Sequence, residues 1–243
     1  MFKSNKFGFT LIELVLVIVL IGVVATIATR KMSASIETAK YEQTKKELDQ
    51  LAWAIVGNPN VYVNGARTDF GYVGDVGAIP PNLDALAQNP GGYATWDGPY
   101  MATGFESDGF KKDAWSVSYV YTDTLIRSTG SGSNIDKLIA NSSADLLNNM
   151  VEGFAVDASY NMPGATYKDS LVIRMTYPNG SGGITTASTN PDAKGNFSFS
   201  NVPIGSHTLS VIYLPDSDTV SYNIGVNVGS VVKLSLVFPA DLW

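Results

Sequence analysis

Gly8-Phe9-Thr10-Leu11-Ile12-Glu13-Leu14-Val15-Leu16-Val17-Ile18-Val19-Leu20-Ile21-Gly22-Val23-Val24-Ala25-Thr26-Ile27-Ala28-Thr29 is the stretch that decides the architecture. From Phe9 to Thr29 there are 21 residues and a single charge, Glu13. At 1.5 Å per residue a helix of that length reaches about 31 Å, the thickness of a hydrocarbon core, so 9–29 reads as a transmembrane segment. A carboxylate inside such a helix costs a few kcal/mol, which marks Glu13 as functional unless it lies near enough to the interface to stay solvated. The segment has no small-residue cleavage site, and its apolar run is longer than that of an ordinary secretory signal.

Working outward, Lys3 and Lys6 precede the span and Arg30 and Lys31 follow it, so the count of positive charges leaves the orientation open. Helical spacing continues past Arg30. Ile36, Ala39, Leu51, Ala54 and Ile55 share one side, Glu42 and Lys46 stand at i,i+4, and Gln43 and Glu47 interrupt the stripe. Gly57-Asn58-Pro59 then stops the helix. The apolar repeat of this second half is too short and broken for a free coiled coil, so it is expected to pack on a globular head.

The basic leader ending in Gly8, followed by Phe9-Thr10-Leu11-Ile12-Glu13-Leu14 and an aliphatic run containing Gly22, resembles the type IV pilin superfamily, which includes the pseudopilins of type II secretion. The resemblance implies a leader at 1–8, cleavage by a prepilin peptidase between Gly8 and Phe9, and methylation of the new Phe9 amine. Glu13 becomes the fifth residue of the mature chain. It implies storage as a single-pass protein of the bacterial inner membrane with its N-terminus cytoplasmic. Self-assembly with other pilin-like subunits then follows, into a periplasmic pseudopilus or an extracellular pilus. A carboxylate in an apolar filament core is tolerable when it meets the terminal amine of a neighbour, so Glu13 would set assembly register. Members of the superfamily often carry Pro where this chain has Arg30.

Beyond the helix the texture changes. Val61-Tyr62-Val63 before Asn64-Gly65 signals a hairpin, Pro81 to Ala87 a short helix, and Trp115 to Tyr121 with Thr124 to Ser128 an antiparallel pair. One or two short helices are expected in 134–149 and a strand at Val151 to Val156, with a break at Tyr160-Asn161-Met162-Pro163-Gly164. The sequence from Gly71-Tyr72 through Trp96-Asp97-Gly98-Pro99-Tyr100 and Asp113-Ala114-Trp115 to Ile126-Arg127-Ser128-Thr129-Gly130 is similar to the head of the major pseudopilin. In that family a calcium ion sits in the loop after the Ser-x-Gly turn. Here Ser128 to Ser133 has no acidic residue, and calcium needs six to eight oxygen ligands, so no metal is expected. Glu106, Asp108 and Asp113, interleaved with Lys111 and Lys112, read as a solvated loop.

After Lys168 only strands and turns remain: Leu171 to Tyr177, Asn196 to Phe199, His207 to Leu214, Val220 to Val228 and Val231 to Phe238, which together suggest a β-sandwich. Asp192-Ala193-Lys194-Gly195-Asn196-Phe197-Ser198-Phe199 with Val202-Pro203-Ile204-Gly205 resembles the carboxypeptidase regulatory-like, or transthyretin-like, domain, a seven-stranded sandwich without peptidase activity. The expected organisation is α+β: leader 1–8, long helix 9–57, a pilin-like head 58–160 on a small antiparallel sheet, and a separate all-β sandwich 168–243.

No enzyme is expected. His207, the only histidine, opens a strand with no nucleophile elbow or metal dyad near it. Ser128 to Ser133 lacks the ending of a phosphate-binding loop, and no cofactor is implied. Zero Cys excludes disulfides and thiolate metal sites, and a net charge of −6 gives no footprint for nucleic acid. Tyr93, Trp96, Tyr100 and Phe105 read as core packing rather than a sugar platform. The functional expectation is a structural filament subunit; the alternative is a minor or tip subunit whose sandwich binds a surface, a secreted substrate or a glycan.

Overall fold

A computed structural model of the chain describes residues 8, 10–101, 108–240 and 243. Its N-terminal half is organised by one helix, α1 (Leu11–Val56, 46 residues), about 69 Å long. Thr10 starts it: its hydroxyl accepts from the Glu13 amide at 3.3 Å while the Glu13 carboxylate accepts from the Thr10 amide at 2.8 Å, a capping box. The helix runs unbroken through Arg30, where a Pro kink has no cause. The Thr26, Ser33 and Thr38 hydroxyls turn back on the carbonyls of Gly22, Thr29 and Ala34, which hides their polarity along an apolar rod. Gly57 ends it at φ +79°, in a position where a Cβ would fall 2.2 Å from the Asp69 carbonyl oxygen.

Only the C-terminal part of α1 is packed. Thr44, Leu48, Leu51, Ala52, Ala54 and Ile55 are buried, whereas Ile36 and Ala39, expected in the same stripe, are exposed. The stripe therefore begins one turn after Lys40. Glu42 pairs with Lys45 at 3.9 Å, one residue short of the expected Lys46.

The head wraps this stripe. A hairpin, β1 (Tyr62–Val63) and β2 (Ala66–Arg67), turns on Asn64 and Gly65 with φ of 51° and 80°, the twist-matched geometry that this dipeptide favours. Helix α2 (Gly71–Val76) follows, and Leu83–Leu86, within the expected short helix, forms a 3-10 turn. A three-stranded antiparallel sheet is built by β3 (Val120–Thr122), β4 (Leu125–Ser128) and β5 (Ile135–Leu138). The strand β5 corrects the helical expectation for its residues, and only α3 (Ser143–Leu147) is helical there. Ile135 and Leu138 stand three apart, as on a helix, but this short segment pairs along its whole length with β4 instead. Tyr72, Val73, Leu86, Ile126, Leu146 and the α1 stripe form the first core.

The remaining strands are β6 (Asn149–Val156), β7 (Leu171–Pro178), β8 (Ile184–Thr189), β9 (Asn196–Val202), β10 (Gly205–Tyr213), β11 (Asp218–Val226) and β12 (Val231–Val237). A one-turn helix, α4 (Gly164–Tyr167), bridges β6 and β7. One sheet has the order β11-β10-β7-β8 and the other β12-β6-β9. Alternate residues, among them Ile173, Met175, Phe197, Phe199, Leu209 and Leu236, point between them and make the second core.

Two features depart from the sequence reading. Strand β6, expected to close the head, is the central strand of the second sheet, parallel to β12 and antiparallel to β9. Strand β8 was not expected at all. The two parts also share structure: Ile204, from the turn before β10, is fully buried in the head core. Its amide donates to the Leu146 carbonyl at 2.9 Å, and the Gly229 amide to that of Asp145 at 2.8 Å.

Candidate functional site

From Leu11 to Ala39 every residue of α1 is exposed, and Leu11, Ile12, Leu16, Ile18, Leu20, Ile21 and Val24 each leave more than half of their surface uncovered. Among the described residues α1 is the one helix long and apolar enough to cross a membrane. Burying one such side chain yields roughly 1.5–3 kcal/mol, so a bare aliphatic rod of this length must find lipid or protein. The amphipathic period is absent from this half because no face of it is meant for water.

Glu13 lies in the first turn of that rod. Its Oε2 accepts from the Thr10 amide at 2.8 Å and from the Thr10 hydroxyl at 2.7 Å, so the carboxylate sits at the N-terminal mouth of the helix, at the positive end of its dipole. Gly8 is exposed and outside the helix; Phe9, the expected methylation position, lies outside the described residues.

The lower part of the rod is tied to the head by polar contacts that the sequence did not reveal. The Glu47 carboxylate accepts from the Tyr119 hydroxyl at 2.8 Å and from Gln43 at 2.8 Å. Burial first, then Glu47, pushes the Tyr119 hydroxyl above its ordinary pKa. Glu37 accepts from the Trp115 indole at 2.8 Å, and the Thr44 hydroxyl from the Ala114 amide at 3.2 Å. Gln43 and Glu47, which looked like breaks in the stripe, are therefore part of the attachment. That interruption was the only available signal.

Asp113 is a further correction. Expected in a solvated acidic loop, it is 5% exposed and accepts four hydrogen bonds. Its Oδ1 takes the Trp115 and Val117 amides, both at 2.9 Å; its Oδ2 takes the Ser128 hydroxyl at 2.6 Å and the Gly130 amide at 3.0 Å. Asp113 thus supplies the loop after β4 with its carboxylate from elsewhere in the chain, and all four of these contacts are internal. Among the described residues no group of three His, Cys, Asp or Glu side chains is arranged to hold a metal ion. Asp108 pairs with Lys111 at 2.6 Å, and Glu106 lies outside the described residues.

Tyr93, Trp96 and Tyr100 pack on the head core; Tyr100 meets Tyr72 and Trp96 edge to face at 5.8 and 5.6 Å. Phe105 lies outside the described residues. The Tyr100 hydroxyl donates to Asp75 at 2.8 Å, and burial pushes the Asp75 carboxyl up to about 6. His207 is 2% exposed, with Nε2 2.8 Å from the Pro203 carbonyl oxygen, and burial pushes its pKa down. Among the described residues no hydroxyl or carboxylate is hydrogen-bonded to its ring; an aromatic neighbour is Tyr177 at 5.9 Å.

The family model for the prokaryotic N-terminal methylation motif matches residues 3–29. The type II secretion system core protein G of Xanthomonas campestris pv. campestris is 31% identical over 98 residues, 40% of this chain and 59% of that protein. The chain therefore spans less than two thirds of that relative. Among solved structures, the dioxygenase domain of a dioxygenase carbohydrate-binding protein fusion from Streptomyces sp. SirexAA-E matches with TM-score 0.31 at 8% identity, over 42% of this chain and 86% of that one. A Streptococcal ancillary pilin matches with TM-score 0.27 at 12% identity, over 49% and 43%. At such scores neither likeness bears on what the chain does. The methylation motif, set on a long apolar helix, and the identity to a secretion core protein together support placing this chain in the type IV pilin and pseudopilin superfamily.

Proposed function

We propose that the chain is a structural subunit of a pilus-like filament or secretion pseudopilus. It waits as a single-pass inner-membrane protein, loses residues 1–8 to a prepilin peptidase, is methylated on Phe9, and assembles by packing its N-terminal helix among those of other pilin-like subunits. The observation that carries this reading is the division of α1 into a bare aliphatic rod and a packed, polar-tied segment. A free-standing anchor needs only the first, and a soluble head only the second. Their fusion in one rigid helix gives each head a stem that can leave lipid for a bundle of like stems.

Glu13 then exchanges its hold on Thr10 for the terminal amine of an adjacent subunit, since an unpaired carboxylate in a helix bundle costs several kcal/mol. The experiment is Glu13→Ala, scored for leader removal by intact mass and for filaments by shear and sedimentation. Trimmed protein without filaments is the expected result. Filaments in wild-type amount would refute the role given to Glu13.

A further inference from the structure

The outer face of the β12-β6-β9 sheet is exposed, and its register lines side chains into rows. Ser235, Phe154 and Asn196 stand across from one another in one row, and Lys233, Glu152 and Ser198 in the next. Phe154 is 41% exposed in the middle of the first row, where alternation calls for a polar residue. Lys233 lies 3.4 Å from Glu152, so the face neutralises its own charge. The Asn196 amide is held in place by Asp192, to which it donates from Nδ2 at 2.9 Å. A cavity of about 560 Å³ lies over these rows, and a second of about 660 Å³ continues around the β9 edge to Lys168, Asn190 and Asp192. The two share Glu152, Asn196 and Phe197, which makes one elongated trough.

Each property of the trough narrows its occupant. Lys233 is paired with Glu152 and Lys168 with Asp169, Asp192 keeps its negative charge, and the chain carries a net −6, so a polyanion finds no attraction. Within the trough one half-exposed ring, Phe154, stands among hydroxyl and amide side chains; the exposed Met150 and Val231 form the row beyond Lys233 and Glu152 and do not line it. A sugar ring, apolar across its C–H face and polar around its rim, matches an aromatic flanked on both sides by hydrogen-bonding groups. Two adjoining cavities of about 560 and 660 Å³ leave room for more than one ring.

We propose that this trough binds an uncharged polysaccharide chain, with Phe154 against the face of one sugar and Ser235 and Asn196 on its hydroxyls. The proposal stands independently of filament assembly. The test is calorimetric titration of the full-length chain in detergent micelles with cellohexaose, chitohexaose, maltohexaose and, for contrast, polygalacturonate. Binding of at least one neutral hexasaccharide is expected, weakened about tenfold or more by Phe154→Ala and abolished by Ser235→Trp, which fills the trough from an exposed position. No binding of any neutral hexasaccharide at millimolar concentration overturns the proposal, as does tighter binding of polygalacturonate. Unchanged affinity in the Ser235→Trp variant overturns it whether or not Phe154→Ala folds.

Discussion

Replacing Asp113 by alanine removes one acceptor group from four donors at once. A hydrogen bond to a charged group contributes about 1.5–3 kcal/mol net, but the four do not add. The Ser128 hydroxyl can rotate, and the Trp115 and Val117 amides lie in a partly buried turn that water can reach. What remains is the Gly130 amide, deprived of a partner beneath the β4–β5 loop, and the lost closure between residues 113 and 130. We expect a loss of about 3–5 kcal/mol, a large part of the 5–15 kcal/mol typical of a domain. Asp113→Asn keeps the shape and one accepting oxygen and should lose about 2 kcal/mol. The assay is urea unfolding of the detergent-solubilised chain, with Trp115, which adjoins the site, among the fluorescent reporters. A loss below about 1 kcal/mol in the alanine variant would refute the reasoning, because it would mean that every donor finds water.

Three further outcomes are expected. Gly8→Asp should leave the leader attached, and a trimmed N-terminus in that variant would remove the peptidase from the proposed maturation. Arg67 donates to the Val56, Gly57 and Asp69 carbonyls at 2.6, 3.2 and 2.8 Å and to Asn227 at 3.2 Å, so Arg67→Ala should cost about 1–3 kcal/mol in urea unfolding and Arg67→Lys should recover little of it. His207 gives a signed pH dependence: its folded pKa is depressed, so below about pH 6.5 the unfolded chain gains a proton that the native one refuses, and stability falls as pH drops. Asp75, raised to about 6, acts in the opposite sense, its contribution being full below pH 3.8 and lost as pH rises through 6. The thermal midpoint of wild type should therefore fall more steeply between pH 7 and 5 than that of His207→Gln, and parallel profiles would contradict the burial of an uncharged ring.

What the sequence disclosed depended on whether a signal was local. The helix through the apolar run, the Gly57 stop and the Asn64-Gly65 turn each depend on neighbouring residues, and all three are present. Five strands after Lys168 were legible because alternation along each one repeats its own burial. Strand β8 was not, because Ile184-Thr185-Thr186-Ala187-Ser188-Thr189 lies at a sheet edge with no residue fully buried, so no apolar alternation is required of it. Strand β6 was seen as a strand but given to the wrong neighbours, since its parallel partner begins at Val231, some 80 residues on. Of the candidate site, Gly8, Phe9 and Glu13 stood out as a motif, whereas Asp113 looked like one more charge among lysines. Its value comes from donors 15 and 17 residues away.

The pairing of β6 with β12 also orders events in time. In a chain that emerges N-terminus first, β6 leaves the ribosome with both of its edges bare, and β9 can cover only one of them. The other waits until Val231–Val237 has been made, an interval in which a sticky strand is open to any passing edge, including that of a sister molecule. Neighbouring nascent copies would then gain from a holding factor, and deleting Val231–Val237 should convert folded chain into aggregate.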